Sequence, residues 1–388
     1  MTPDNSLIQQ TYADYRSHFG GEPEVAAFAP GRIEVLGNHT DYNEGYVLSA
    51  AIDLGTCFLA ARSPGSRCAL YAPDVGEEDV FDAGSFSPCD THRWANYIKG
   101  VIAGLRSHSA IGGLVGCFRS NLPIASGLSS SAALEISSAL AIAHLFNAEI
   151  PPLELARIGQ SAEHHFAGVR CGLLDQVTSL FGKQDELVMM DFRTLAIQTV
   201  PLSRDACFVV CNTGVKHTLV DSAYNERRAK CEEAATFFNS VLPRPIGALR
   251  DVTWAEWEQH SKAMDPDAAR RSAHVIGENE RVLKGMDLLR HGQLPEFGQL
   301  MFSSHASSRE YFENSCAELD YIVEQASSLN GVLGARLSGG GFGGSALLLV
   351  HERSAADVSR KIADLYAGRF GKHCEVRRVS ASAGAHML

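Results

Sequence analysis

The chain has 388 residues, 45% of them hydrophobic and 20% charged, with a net charge of −11 at neutral pH. That length fits two domains and that composition an ordinary globular protein, and no apolar run is long enough for a membrane span. The acidic balance argues against a nucleic-acid partner, which would need clustered Lys and Arg, but leaves a local anion site open.

The start, "MTPDNSLIQQTYADY", lacks the basic and apolar stretches of a signal peptide, and the ten cysteines include no C-x-x-C pair. A cytoplasmic monomer with buried thiols and no membrane partner is expected.

Taken in order, the first β-like runs are "IEVLG", "YVLSAAID", "CFLAAR" and, further on, "LVGCFRS". Before the last of these, "WANYIKGVIAGLRS" has apolar residues three and four apart and predicts an amphipathic helix. A longer, Ala- and Leu-rich helix is predicted from Ser129. "PPLELARIGQSAEHHFAG" opens on prolines in the first turn and stops at Gly168, as a helix should. Past "CGLLDQVTSLFG", the strands "ELVMMDF" and "ACFVVCNT" lead into a helix from about residue 219 to 241. Helical segments around 267–290 and 313–329 follow, then "GARLSGGGFGGSALLLV" and a last helix, "AADVSRKIADLYAGRF". Helices and short strands interleave without a regular βαβ rhythm, so the fold class is read as α+β. The weakest joint is "GKQDE", which predicts two domains, 1–185 and 186–388.

Four polar stretches stand out. "GRIEVLGNHTDYNEG" (31–45) brings Arg32, Asn38, His39 and Asp41 to the end of an apolar strand. In "LPIASGLSSSAALEISSAL" (122–140), three serines after a glycine exceed what helix capping requires. They set free N–H groups and hydroxyls at the positive end of a helix dipole, which suits phosphate. "SGGGFGG" (338–344) formally satisfies G-x-G-x-x-G, but a β-like run follows it, so no dinucleotide fold is implied. Its glycines let a second backbone or a ligand approach closely. In "AEHHFAGVRCGLLDQ" (162–176), Glu163 ends one helix and Asp175 opens the next within an apolar segment. A partly buried carboxylate needs a partner or a job, and either reading is open here.

In that order and at those separations, "APGRIEVLGNHTDYNEG", "PIASGLSSSAA" and "LSGGGFGG" resemble the three motifs of the GHMP small-molecule kinases. The H-T-D-Y-N core resembles the galactokinase branch. "HRWANYIKGVI", "AEHHFAGVRCGLLDQ", "HVIGENERV" and "FGQLMFSSHASSREYFENSCAELD" extend the likeness from about residue 10 to 350. The resemblance implies the two-domain GHMP kinase fold, with an N-terminal domain like domain 2 of ribosomal protein S5 and a ferredoxin-like C-terminal domain. It implies transfer of the ATP γ-phosphoryl group, with Mg²⁺, to the anomeric C1 hydroxyl of galactose. Asp175 would be the base, with Arg32 beside it. Because such transfer passes through a loose transition state, Asp175 would orient the hydroxyl as much as deprotonate it.

By the same resemblance, ATP would lay its phosphates over Gly127, Leu128, Ser129, Ser130, Ser131 and Ala132. Ser130 and Glu163 would hold Mg²⁺, a hard cation that takes oxygen ligands. Trp94 would line the adenine pocket, or equally pack as a core tryptophan. Asn38, His39, Asp41, Gly172 and Tyr224 would face the sugar.

Three positions depart from the family pattern. Ala125 stands where the second motif has glycine. Glu34 replaces an asparagine, and strand alternation puts it on the side of Arg32, with which it would pair. Asn38 replaces the glutamate that in galactokinases accepts a hydrogen bond from the sugar's C6 hydroxyl. Asparagine can accept from that hydroxyl without charge, or donate to a C6 carboxylate. Galactose is therefore the expected substrate and galacturonate the alternative. A non-catalytic galactose sensor is less favoured, because Asp175, Arg32, Glu163 and an uninterrupted "GLSSSAA" are all present.

Overall fold

Val25–Leu36 is buried at every position, which is why "VAAFAPGRIEVL" shows no polar–apolar alternation: a strand covered on both faces has no polar side. In the computed structural model, which describes residues 5–123, 127–169, 171–216 and 220–388, this strand is β1 and follows helix α1 (Asn5–Phe19). Next come β2 (Tyr46–Arg62), β3 (Arg67–Ala72), β4 (Glu77–Asp82), α2 (Arg93–Leu105) and β5 (Leu114–Ser120). Helices α3 (Ser130–Leu145), α4 (Pro152–Ala162) and α5 (Leu174–Phe181) precede β6 (Glu186–Asp191), β7 (Ile197–Pro201) and β8 (Ala206–Lys216). Then follow α6 (Val220–Val241), α7 (Trp254–His260), α8 (Pro266–Arg290), α9 (Leu294–Ser307) and α10 (Ala317–Ser327). The series closes with β9 (Val332–Ser338), β10 (Gly343–His351), α11 (Ala355–Phe370), β11 (Glu375–Val379) and β12 (His386–Met387).

The chain folds into two units that no single cut separates. One holds the residues up to Arg32, Ala51–Gln184 and Ser382–Leu388; the other holds Ile33–Ala50 and Asp185–Ala381. Compared with a division at 185, residues 33–50 fall with the later part and 382–388 with the earlier. The strands explain this. β12 pairs antiparallel with β1, Ala27 opposite Met387, while the first residues of β2 pair with β6, Tyr46 opposite Asp191.

In the first unit the strands run β12-β1-β2-β5-β3-β4. β3 lies parallel to β5, so the chain between them must cross over, which β4 and α2 accomplish. Phe58, Leu70, Ile98, Val101, Leu114 and Ile142 pack together where α2 and α3 cover the sheet. In the second unit, β11-β8-β10-β9 form an antiparallel sheet. Val209, Leu337 and Leu348 from it pack with Leu319, Val358 and Ile362 of α10 and α11. A separate core joins Cys231 and Phe238 of α6 to Val275 of α8 and to Phe312. Among the described residues no helix is long and apolar enough to cross a membrane.

Two expectations merge and two are displaced. "YVLSAAID" and "CFLAAR" are one strand, β2, which runs straight through Gly55. The helix expected over 151–168 leaves α geometry at Glu163 and closes with a π-helical turn, Glu163–Ala167. The one expected from 313 begins at Ala317, after a π-helical turn, Ser308–Phe312, that ends with Glu313 in a left-handed conformation. Ala125 and the expected helix start near 219 lie outside the described residues.

Candidate active site

Within the first unit, Gly31 lets β1 approach the serine loop so closely that a side chain there would lie 2.4 Å from the Leu128 carbonyl. Arg32 N–H donates to that carbonyl at 3.1 Å. The Arg32 side chain is thereby aimed at the start of α5. Its Nε and Nη2 donate to the two oxygens of Asp175 at 2.8 and 2.9 Å, and Nη1 donates to the Gly127 carbonyl at 2.6 Å. A bidentate guanidinium–carboxylate pair fixes direction as well as charge. Ser129, the cap of α3, sits at φ +59°, and its hydroxyl donates to Asp175 Oδ2. Ser130, Ser131 and Ala132 follow in the first turn of α3, where unpaired N–H groups and the helix dipole favour an anion.

Among the described residues, three donors thus occupy Asp175: two on Oδ2 and one on Oδ1. A carboxylate has about four lone-pair directions, so one remains, on Oδ1. The side chain keeps 21% of its surface exposed, so that direction can be reached.

Behind the loop lies a carboxylate pair. Gln176 Nε2 donates to Glu135 at 2.9 Å and to Glu163 at 3.2 Å, and the Cys171 thiol also donates to Glu163. Glu135 is fully buried. Its burial, followed by the nearby Glu163, pushes its carboxyl well above the usual range. Glu135 is not among the residues expected from the sequence, although an acid in an otherwise Ala- and Leu-rich helix is a visible signal. Gly172 is half-buried in the loop before α5. Trp94, half-buried on α2, donates Nε1–H to Glu77 at 2.8 Å and leans on Phe118. Beside it, Asp79, Cys89 and His92 have metal-ligand spacing, but Lys99 already sets its ammonium 2.8 Å from Asp79 and 3.6 Å from the Cys89 sulfur. The cation there is the protein's own.

The second unit holds the residues expected to face a sugar. His39 stacks on Phe312, with centroids 4.3 Å apart, and lies 5.3 Å from the Tyr224 ring. It donates Nε2–H to the Gly340 carbonyl at 3.1 Å, so Nδ1 accepts from the Tyr42 hydroxyl at 3.0 Å. Asp41 is half-buried and opens a short 3₁₀ turn. Asn38 is only 1% exposed. Its amide donates to Glu34 Oε1 at 2.9 Å and to the Gly339 carbonyl at 2.7 Å, and its oxygen accepts from Asn314 at 2.9 Å. Glu34 pairs with Arg336 at 3.3 Å, while Arg32 is given to Asp175, so the Arg32–Glu34 pair suggested by alternation is replaced by two others.

Glu278 sits beneath this loop and accepts from the N–H groups of Gly37 and Asn38 at 2.9 and 3.0 Å. His274 donates to the Asn38 carbonyl at 3.2 Å. Burial holds His39 down at about 4 and His274 at about 3, so both are neutral at pH 7. The unfolded chain therefore binds more protons than the folded one below about pH 6.5, and stability rises with pH in that window. Each histidine should contribute a slope of up to about 1.4 kcal/mol per pH unit between pH ~6.5 and its folded value. Denaturant unfolding at pH 7 and pH 5 checks this; equal stabilities would contradict the assignment.

Matches to known proteins agree in kind. The GHMP kinases N terminal domain model matches residues 96–183, the galactokinase galactose-binding signature 13–62, and the GHMP kinases C terminal model 286–368. The chain is 37% identical over 394 residues to a galactokinase of Actinobacillus pleuropneumoniae serotype 3, covering 100% of both. A crystal structure of Lactococcus lactis galactokinase complexed with galactose matches with TM-score 0.91 and 33% identity, over 98% of this chain and 100% of that one. A mevalonate kinase structure, at 16% identity and TM-score 0.64 over 93% and 100%, shares the fold alone.

Proposed function

As the chain belongs to the galactokinase family of the GHMP kinases, we propose the following division of labour for the ATP-dependent phosphorylation of galactose at its C1 hydroxyl. Asp175 takes the C1 hydroxyl proton on the acceptor direction that Arg32 and Ser129 leave open. The carboxylate is a weak base, but a loose phosphoryl transition state asks for little early proton transfer and much positioning. Arg32 holds the carboxylate at two points and keeps a positive charge beside the oxygens that gain charge during transfer. The phosphates lie over residues 127–132, at the start of α3.

The oxygen donors of the serine loop and the Glu163 carboxylate fit Mg²⁺. When bound by Ser130 and Glu163, the ion would neutralise phosphate charge. Glu135, buried behind Glu163 and sharing the Gln176 amide with it, helps hold that carboxylate in place. Trp94 flanks the adenine, and Asp41, Gly172 and Tyr224 face the sugar along with the Asn38–His39 loop. We take the enzyme to act in the cytoplasm as a monomer. The observation that carries this reading is the two-point Arg32–Asp175 pair, with one direction of Asp175 left open among the described residues.

Galacturonate is not favoured. The Asn38 amide that would have met its carboxylate is committed to Glu34 and Gly339, and the adjoining Glu34 would repel it. A sensor is disfavoured by an assembled Arg32–Asp175 pair. Coupled ADP release with ATP, Mg²⁺ and galactose is the test. Turnover on galactose is expected to exceed that on galacturonate at least ~10-fold. It should fall below a tenth on chelation of the divalent ion and return when Mg²⁺ is added back. Silence on galactose would overturn the proposal.

A further inference from the structure

We propose that Asn38 and Glu34 are positioning residues for the sugar side of the reaction: a buried acid–amide pair that clamps the glycine turn 338–342 onto the His39 loop, without touching the sugar. This rests on the galactokinase reading above. Both amide hydrogens of Asn38 and one lone pair of its oxygen are used inside the protein, so it has little left to offer a ligand.

What those bonds hold is the turn. Gly339 gives its carbonyl to Asn38. Gly340 gives its carbonyl to His39 and, at 3.2 Å, to Asn314. Ser338 donates its hydroxyl to the Glu34 carbonyl at 3.1 Å, and Phe342 N–H donates to the Asn314 carbonyl at 2.6 Å. Gly341 closes on Asn314 at φ +80°, where a side chain would lie 2.2 Å from the Asn314 carbonyl. Gly340 and His39 both neighbour the Tyr224 ring. Of the groups expected to face the sugar, His39 therefore stands on the clamp and Tyr224 beside it.

Charge explains the choice of residues. The fully buried Arg336 answers Glu34, and Arg281 answers Glu278. A neutral amide at 38 is what keeps the count even. The two departures noted in the sequence, Glu34 for asparagine and Asn38 for glutamate, are thereby one exchange: acid and amide have traded places within a single hydrogen-bonded pair.

The test uses Asn38→Asp, Asn38→Ala, Glu34→Gln and the double variant Glu34→Gln/Asn38→Asp, with galactose and 6-deoxygalactose. Asn38→Asp sets a carboxylate against Glu34 and the Gly339 carbonyl. It should raise the galactose KM at least ~30-fold and leave the ATP KM within ~2-fold. In the double variant, the introduced glutamine amide can donate to the introduced aspartate. The bond is restored with its direction reversed, and at least ~5-fold of the loss should return. Additive losses would overturn the pairing.

Asn38→Ala, which adds no charge, remains usable if Asn38→Asp does not fold. Its loss should be the same, within ~2-fold, on galactose and on 6-deoxygalactose, followed as KM or Ki. A loss on galactose that disappears with the deoxy sugar would instead make Asn38 a direct ligand of the C6 hydroxyl. Wild-type turnover of galactose is the internal control; without it the galactokinase reading itself falls.

Discussion

Asp175→Asn is expected to lower kcat for galactose by about 10²–10⁴, the range associated with a positioned acid–base group, while the ATP KM changes little. The substitution keeps size but replaces an acceptor oxygen with an N–H donor. Arg32 Nε and Nη2 and the Ser129 hydroxyl all donate to this carboxylate, so one donor must face another. The buried Arg32 charge also loses its counter-ion. A stability loss of about 1–3 kcal/mol should accompany the kinetic loss. The two effects separate when unfolding and single-turnover rates are measured on the same sample. A variant that retains more than a tenth of wild-type kcat would remove Asp175 from the chemistry and leave it a structural partner of Arg32.

The largest expected effect on stability comes from Glu278→Leu. Glu278 is fully buried, accepts from the N–H groups of Gly37 and Asn38, and pairs with Arg281. Leucine would leave two N–H groups without acceptors and a guanidinium without its partner. Breaking a buried pair from one side costs about 3–5 kcal/mol, against a total stability of about 5–15 kcal/mol for typical proteins. Little soluble protein should result. Glu278→Gln keeps an acceptor oxygen and should cost distinctly less. Burial would raise the Glu278 carboxyl, but Arg281, His274 and Arg336 outweigh it and hold the group well below the usual carboxylate range. Its stabilisation is complete above the ordinary glutamate value, about 4.3, and is lost as pH falls towards the folded value. This has the same sign as the two histidines. Denaturant unfolding decides the matter: Glu278→Leu within ~1 kcal/mol of wild type would show that the loop does not depend on this carboxylate.

Local pattern is a good guide where one element decides its own form. α2 and α11 are amphipathic, and they stand close to where spacing puts them. α9 gives no clear period because Pro295, Gly298 and three serines dilute its apolar face. β2 reads as two strands because Gly55 looks like punctuation, whereas there the Ala29 carbonyl and Phe28 ring come too close for a side chain. At the site, residue types and order are legible, but partnerships are not. Glu34 meets Arg336 across 302 positions of chain, and no periodicity reports such a pair. The nearer partner suggested by alternation, Arg32, is taken by Asp175. His39 and Asn38 stand out in the sequence because they are polar and adjacent; their hydrogen bonds to the glycine turn, some 300 positions away, are not legible there.

The seven residues Ser382–Leu388 belong to the same unit as β1, where β12 is the edge strand. On the ribosome, that edge emerges only after Asp185–Ala381 has been made, a delay of about 10–40 s at ~5–20 residues per second. Through that interval the β1 edge at Ala27 and Phe28 waits uncovered, a template for any passing strand. A chaperone that shields nascent chains has a defined moment of use here. The early-made part of this unit is finished by residues that follow the whole of Asp185–Ala381.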